Sequence, residues 1–79
     1  MGVFVNRSDA RGNTALHMAV LHKKMASITY LLANGARASL RALNEHHLTP
    51  ITLAVRKGDV DMFQHLASQV FIFLFALVL

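Results

Sequence analysis

Five histidines are the first residues to weigh for chemistry, because a neutral imidazole can hold a metal or move a proton near neutral pH. Their spacing serves neither use. A zinc pair on a helix needs His at i and i+4 with a further ligand close by, whereas His17 and His22 miss that spacing and the chain contains no cysteine. His46 and His47 are neighbours in a stretch that reads as loop, and His65 has no partner on its own helical face. Nucleophilic catalysis fares no better, since Ser8-Asp9 and Ser27 lack a positioned base, no carboxylates pair in a cleft and there is no glycine-rich phosphate loop. The residues imply no catalytic, metal or cofactor site, and the chain reads as something other than an enzyme.

The remaining candidates are cations. Eight Lys and Arg stand against four Asp and Glu, a formal charge of +4, which raises nucleic acid as a partner. Aromatic side chains are not interleaved with the charges to stack bases, so that partner is disfavoured. Arg7, Arg11, Arg37 and Arg41 fall in stretches that read as loop, while Lys23-Lys24 and Arg56-Lys57 fall near two helix-to-helix turns. Stacking of the two halves would place those basic pairs on one edge, where an acidic partner or a phosphate group could be met through charge-assisted contacts. The plainer reading is a solvated face that keeps the chain soluble. Lys23, Lys24, Arg37, Arg41, His46, Arg56 and Lys57 are carried forward as candidate partner contacts.

The elements that position these residues come in two copies. Thr14-Ala15-Leu16-His17-Met18-Ala19 returns 35 positions later as Thr49-Pro50-Ile51-Thr52-Leu53-Ala54. Beyond the phrase itself, apolar residues match apolar residues: Leu16 with Ile51, Val20 with Val55, Met25 with Val60, Ile28 with Phe63 and Leu31 with Leu66. Within each copy they recur at three- and four-residue steps, the period of an α-helical stripe, so each copy reads as two short helices. Thr14 and Thr49 supply capping hydroxyls, and Pro50 follows where a missing N–H costs nothing, which sets helix starts near 14 and 49. Gly58 suits the positive φ of a tight turn, Lys23 takes the same place less comfortably, and Gly35 fits a left-handed cap closing a helix near Asn34.

With those residues in view, Thr14 to Ala36 and again Thr49 to Ala67 resemble the ankyrin repeat, whose signature is T-P-L-H-x-A with a period of about 33 residues and a turn plus two helices per unit. The resemblance implies an all-α solenoid of stacked helical hairpins. Its motif residues would be Thr14, Leu16, His17, Ala19, Gly35, Thr49, Pro50, Ala54 and Gly58, with His17 bonding the Thr14 side chain and neighbouring loop backbone. Two extra residues lie between Gly35 and Thr49, which implies a longer finger loop and an exposed excursion from Arg37 to His47. The chain then divides into 1–8, a remnant of an upstream repeat or loop; 9–43, a repeat with the long finger; 44–69, a second repeat; and 70–79, an apolar tail. Two repeats are fewer than the three or so that normally make a stable stack, so the chain reads as a fragment.

A narrower likeness rests on Asn44-Glu45-His46-His47-Leu48-Thr49-Pro50, on Thr52 in place of the usual His, and on Met62-Phe63-Gln64-His65-Leu66. These resemble the last ankyrin repeats of vanilloid-type transient receptor potential cation channels. The resemblance implies a cytosolic segment of a plasma-membrane subunit, part of the platform beneath a tetrameric calcium-permeable pore. Its partners would be neighbouring subunits or repeats, with membrane association only through the parent channel. Nucleotide and calmodulin sites of those channels lie in repeats nearer the N-terminus and are not carried over. The alternative is an independent cytoplasmic ankyrin adaptor holding a partner protein with its finger and concave helix faces.

The tail departs from both. Val70 to Leu79 is wholly apolar. Ten helical residues reach only about 15 Å, half of a bilayer's hydrocarbon core, so the run cannot span by itself. It reads as a truncated membrane segment, a helix laid over the bare end of the second repeat, or a misread terminus. Phe71 to Phe75 is aromatic and uncharged, which predicts aggregation unless it is covered. Asp at Leu16 or Ile51 is expected to unfold the helices, and Ala at Lys23 or His46 to leave them intact.

Overall fold

The computed structural model describes residues 5–78; the expectations for Met1 to Phe4 and for Leu79 lie outside them. Two helical hairpins follow one another: α1, Ala15–Leu21, with α2, Met25–Ala33; then, after a short 3-10 helix at Ala36–Arg41, α3, Pro50–Arg56, with α4, Val60–Val78. Within each hairpin the two helices pack together, and the hairpins stack α1 on α3 and α2 on α4.

The helix starts follow from side-chain chemistry. Thr14 and Thr49 each cap a helix with a hydroxyl that accepts from the third residue's backbone N–H, and each cap N–H is in turn bonded by that residue's side chain. In copy one the reciprocal partner is His17, and in copy two Thr52. The turns also match expectation. Lys23 sits at φ 57° and Gly58 at φ 68°, so both copies use a left-handed residue there and only the second uses the one that tolerates it without strain. Gly35, at φ 103°, is left-handed just past the end of α2 and turns the chain into the 3-10 helix.

Ahead of each first helix lies the same small loop. Asp9 accepts from the N–H groups of Arg11 and Asn13 at 2.9 Å, and Asn44 accepts from those of His46 and Leu48 at 2.9 and 3.1 Å. These are paired Asx turns in register, an equivalence the T-P-L-H phrase did not reach. The two loops lie side by side, joined by the Glu45 N–H donating to the Arg11 carbonyl at 2.8 Å and by Asn44 donating to the Asn13 side chain at 3.1 Å. Gly12 is required between them: it has φ 77°, and a Cβ there would come within 3.0 Å of the Asn44 backbone.

The core is one cluster, Leu16, Ala19, Val20, Ile28, Leu32, Ala36, Leu53, Ala54, Met62 and Leu66. It divides the matched apolar residues, which lie on the same stripe in each copy but are not equally buried. Val20 and Ile28 are fully buried, whereas their matches Val55 and Phe63 are 58% and 39% exposed, because copy two covers that side of copy one and, among the described residues, no repeat covers that side of copy two. Ile51 is only half-buried where Leu16 is fully buried. A correction concerns the finger. Its first part is folded down as the 3-10 helix with Ala36 and Ser39 buried, and Asn44 is buried further on, so the exposed excursion reduces to Leu43 and Glu45 to His47 with the outward Arg37, Ala38 and Arg41. Asn6 holds that segment: it donates to the Gly35 carbonyl at 2.9 Å and accepts from the Ser39 N–H and hydroxyl.

The tail is helical and continues α4 directly. Where α2 meets Gly35, α4 meets Val70 at the matching position, a residue with no preference for the left-handed turn, so the helix runs on to Val78. It is not laid back over copy two, whose outer face stays open. No helix of the described residues is long and apolar enough to cross a membrane.

Candidate functional site

His17 is where sequence motif and geometry meet. Its imidazole is fully buried and both ring nitrogens are engaged. The Thr14 N–H donates to Nδ1 at 3.1 Å, which leaves that nitrogen without a proton, so Nε2 carries the hydrogen and donates to the Leu48 carbonyl at 2.8 Å. Nδ1 also lies 3.0 Å from the Thr14 hydroxyl. One ring therefore fixes the start of α1 and ties copy one to the loop that leads into copy two. This is a structural use, and it consumes every polar atom of the ring. In copy two Thr52 bonds only within its own cap, to Thr49, and reaches no further.

Among the described residues no three of His, Cys, Asp or Glu gather as a metal would require. His65 instead meets copy one, its Nε2 2.9 Å from the Thr29 hydroxyl. His46 is exposed, with the Glu45 carboxylate 4.0 Å away, too distant and too wet to fix either side chain.

The basic candidates separate. Lys23 and Lys57 do share one edge, lining a cleft between the two helix-to-helix turns, as stacking requires. Asp59 and Asp61 line the same cleft, and Asp59 also accepts from the Met62 N–H to cap α4. The cleft is thus mixed in charge, which favours a protein surface of alternating polarity over a bare phosphate. Lys24 turns away from it and sits on a different groove, so the expected four-cation edge does not form as one patch. Arg37, Arg41 and Arg56 are exposed on the outside of the stack.

The feature that sequence reasoning missed is that second groove. It is an open, mostly apolar trough along the outer side of copy one, lined by Ala15, Met18, Ala19, His22, Tyr30 and Leu31. Met18 and Tyr30 are 36% and 67% exposed there. Shifting each residue by one repeat explains the trough. Ala15 becomes Pro50, Met18 becomes Leu53, Ala19 becomes Ala54 and Leu31 becomes Leu66, and all four are buried in copy two, on the side that faces copy one. The signal was present in the 35-residue register and needed only to be read for which copy has a neighbour on which side.

A family model described as ankyrin repeats in three copies matches residues 2–73. The chain is also similar to the transient receptor potential cation channel subfamily V member 5 of Rattus norvegicus, at 37% identity over 76 residues, which is 86% of this chain. It spans 10% of the length of that curated relative.

Proposed function

Because the chain belongs to the ankyrin-repeat family, a protein-interaction module, we propose that it serves as a segment of the cytosolic ankyrin platform of a vanilloid-type, calcium-permeable cation channel subunit. In this reading it conducts nothing. It is a stiff spacer whose outward loops meet neighbouring subunits or repeats and whose stacked helices carry the contact toward the gate.

The observation that carries the reading is the likeness to the rat channel subunit along most of the chain. The hydrogen-bonded pair of Asx loops, the buried His17 clamp and the inter-repeat Thr29 to His65 contact support a rigid stack in which recognition is left to exposed positions. Arg41, His46 and Leu43 on the finger, and the mixed cleft at Lys23 and Lys57, are the proposed partner contacts.

The adaptor reading uses the same surfaces, and the mixed-charge cleft favours it to the extent that any protein partner would fit. Sequencing the full-length transcript separates the two. An open reading frame that continues into six apolar spans with a pore loop is expected. A frame that continues only into further repeats, or into an unrelated soluble domain, would overturn the channel assignment and leave the adaptor.

A further inference from the structure

Of the asparagines Asn6, Asn13, Asn34 and Asn44, only Asn34 is followed by glycine. That pairing carries a chemistry of its own. The backbone nitrogen of the next residue can attack the asparagine side-chain carbon, and only glycine leaves that approach free of a Cβ. Asn13 is followed by Thr14, whose branched Cβ crowds the same path, and Asn6 and Asn44 are followed by Arg7 and Glu45. The place of Asn34 in the fold matters as much as its neighbour. It is exposed at the end of α2, its amide donates to the Tyr30 carbonyl at 2.7 Å, and Gly35 behind it, at φ 103°, turns the chain into the 3-10 helix.

We propose that Asn34 is a deamidation site gated by the fold, and that its conversion releases the finger. In the reaction the Gly35 nitrogen gives up its proton to solvent base and bonds to the Asn34 side-chain carbon, the amide nitrogen leaves as ammonia with a proton from water, and a cyclic imide joins the two residues. Water then opens the ring. Addition at the side-chain carbonyl leaves aspartate, and addition at the main-chain carbonyl leaves isoaspartate, with the backbone rerouted through the former side chain. The folded chain resists the first step. At ψ 29° the Gly35 nitrogen lies on the far side of the Cα–C bond from the Asn34 Cβ, and the Tyr30 carbonyl holds the amide, so ring closure waits until the end of α2 opens. Neither product restores the original turn. Both put a carboxylate beside the carbonyl end of the helix dipole and forfeit the donation to Tyr30, and isoaspartate also adds a carbon to the backbone ahead of Gly35. Asn6 holds the finger through the Gly35 carbonyl and through Ser39, so moving Gly35 undoes the hold. The ring closes between adjacent residues and needs no free face of the stack, and it is independent of the channel reading.

Peptide mapping by mass spectrometry tests the site on the whole chain, held at mildly alkaline pH with and without urea. The expected result is an acid at position 34 with isoaspartate the larger product, Asn6, Asn13 and Asn44 unchanged, and a rate about tenfold higher in urea. Conversion of Asn13 or Asn44 as fast as Asn34, or no conversion in urea, overturns the site; equal rates with and without urea overturn the gating. The consequence is read separately, by amide exchange on the converted chain against the fresh chain and against Asn34→Gln aged alongside. That variant keeps an amide but forms the larger ring far more slowly, and circular dichroism checks its helices first. Ser39 and Ala42, whose N–H groups donate to Asn6 and to the Ser39 carbonyl, should lose protection in the converted chain, while Leu53, Met62 and Leu66 in the core should keep it. Full protection at Ser39 after conversion would sink the release of the finger.

Discussion

Copy one and copy two carry one pattern in two situations. Copy one has a neighbour on the side of Val20 and Ile28; among the described residues copy two has none on the side of Val55 and Phe63. The same apolar positions are core in one and surface in the other, so burial here is set by stacking order more than by residue type. What the difference teaches is that a repeat has no complete core of its own. Its hairpin supplies part, and the next hairpin supplies the rest.

Substitutions made in matched pairs break or sharpen that comparison. The largest contrast is Leu16→Asp against Ile51→Asp. A carboxylate forced into the fully buried Leu16 site should cost more than about 4 kcal/mol and unfold the chain, whereas the half-buried Ile51 site can turn the charge outward at about 2 kcal/mol. Helical circular dichroism against urea reads both, and equal losses would show that the two seams are equivalent after all. Next comes Ile28→Ala against Phe63→Ala. Removing Ile28 should leave a cavity worth about 3 kcal/mol, while Phe63, though larger, should lose only about 1 kcal/mol because much of it is already in water. A larger loss at Phe63 in the same melts would mean that something covers the outer face in solution.

A third pair concerns the caps. His17→Ala leaves the Thr14 N–H and the Leu48 carbonyl without their partner in a buried place and should cost about 2 kcal/mol, against about 0.5 kcal/mol for Thr52→Ala, whose bonds stay within one exposed turn. Amide exchange adds detail: the first should loosen residues 44–48 as well as α1, and the second only the start of α3. The smallest effect is a gain. Lys23→Gly relieves a left-handed lysine and should stabilise the chain by about 0.5 kcal/mol, bringing the first turn level with the one at Gly58; thermal melting would detect it. An unchanged or lowered midpoint would show that the lysine stem packs usefully on the turn.

Much of this could be read from the residues. Thr14, Thr49 and Pro50 marked helix starts, and Gly35 and Gly58 marked left-handed turns, because those residue types act within a few positions of themselves. The stacked hairpins could be inferred because a kept apolar period has few other uses. Less legible was which matched residue ends up inside, since that depends on neighbours the letters do not name. The paired Asx loops were hidden because Asp9 and Asn44 differ in type and act through one oxygen each. The folding-down of the finger was hidden for a similar reason, as it hangs on Asn6, a residue remote in sequence from the Gly35 and Ser39 it holds.

The uninterrupted course of α4 from Val60 to Val78 has a mechanical consequence. With no proline or glycine between Val60 and Val78 to kink it, the part beyond Val70 keeps the direction set by the part packed against copy one. The course of the tail is thereby fixed at its root, by the packing of the second hairpin and the Thr29 and His65 junction.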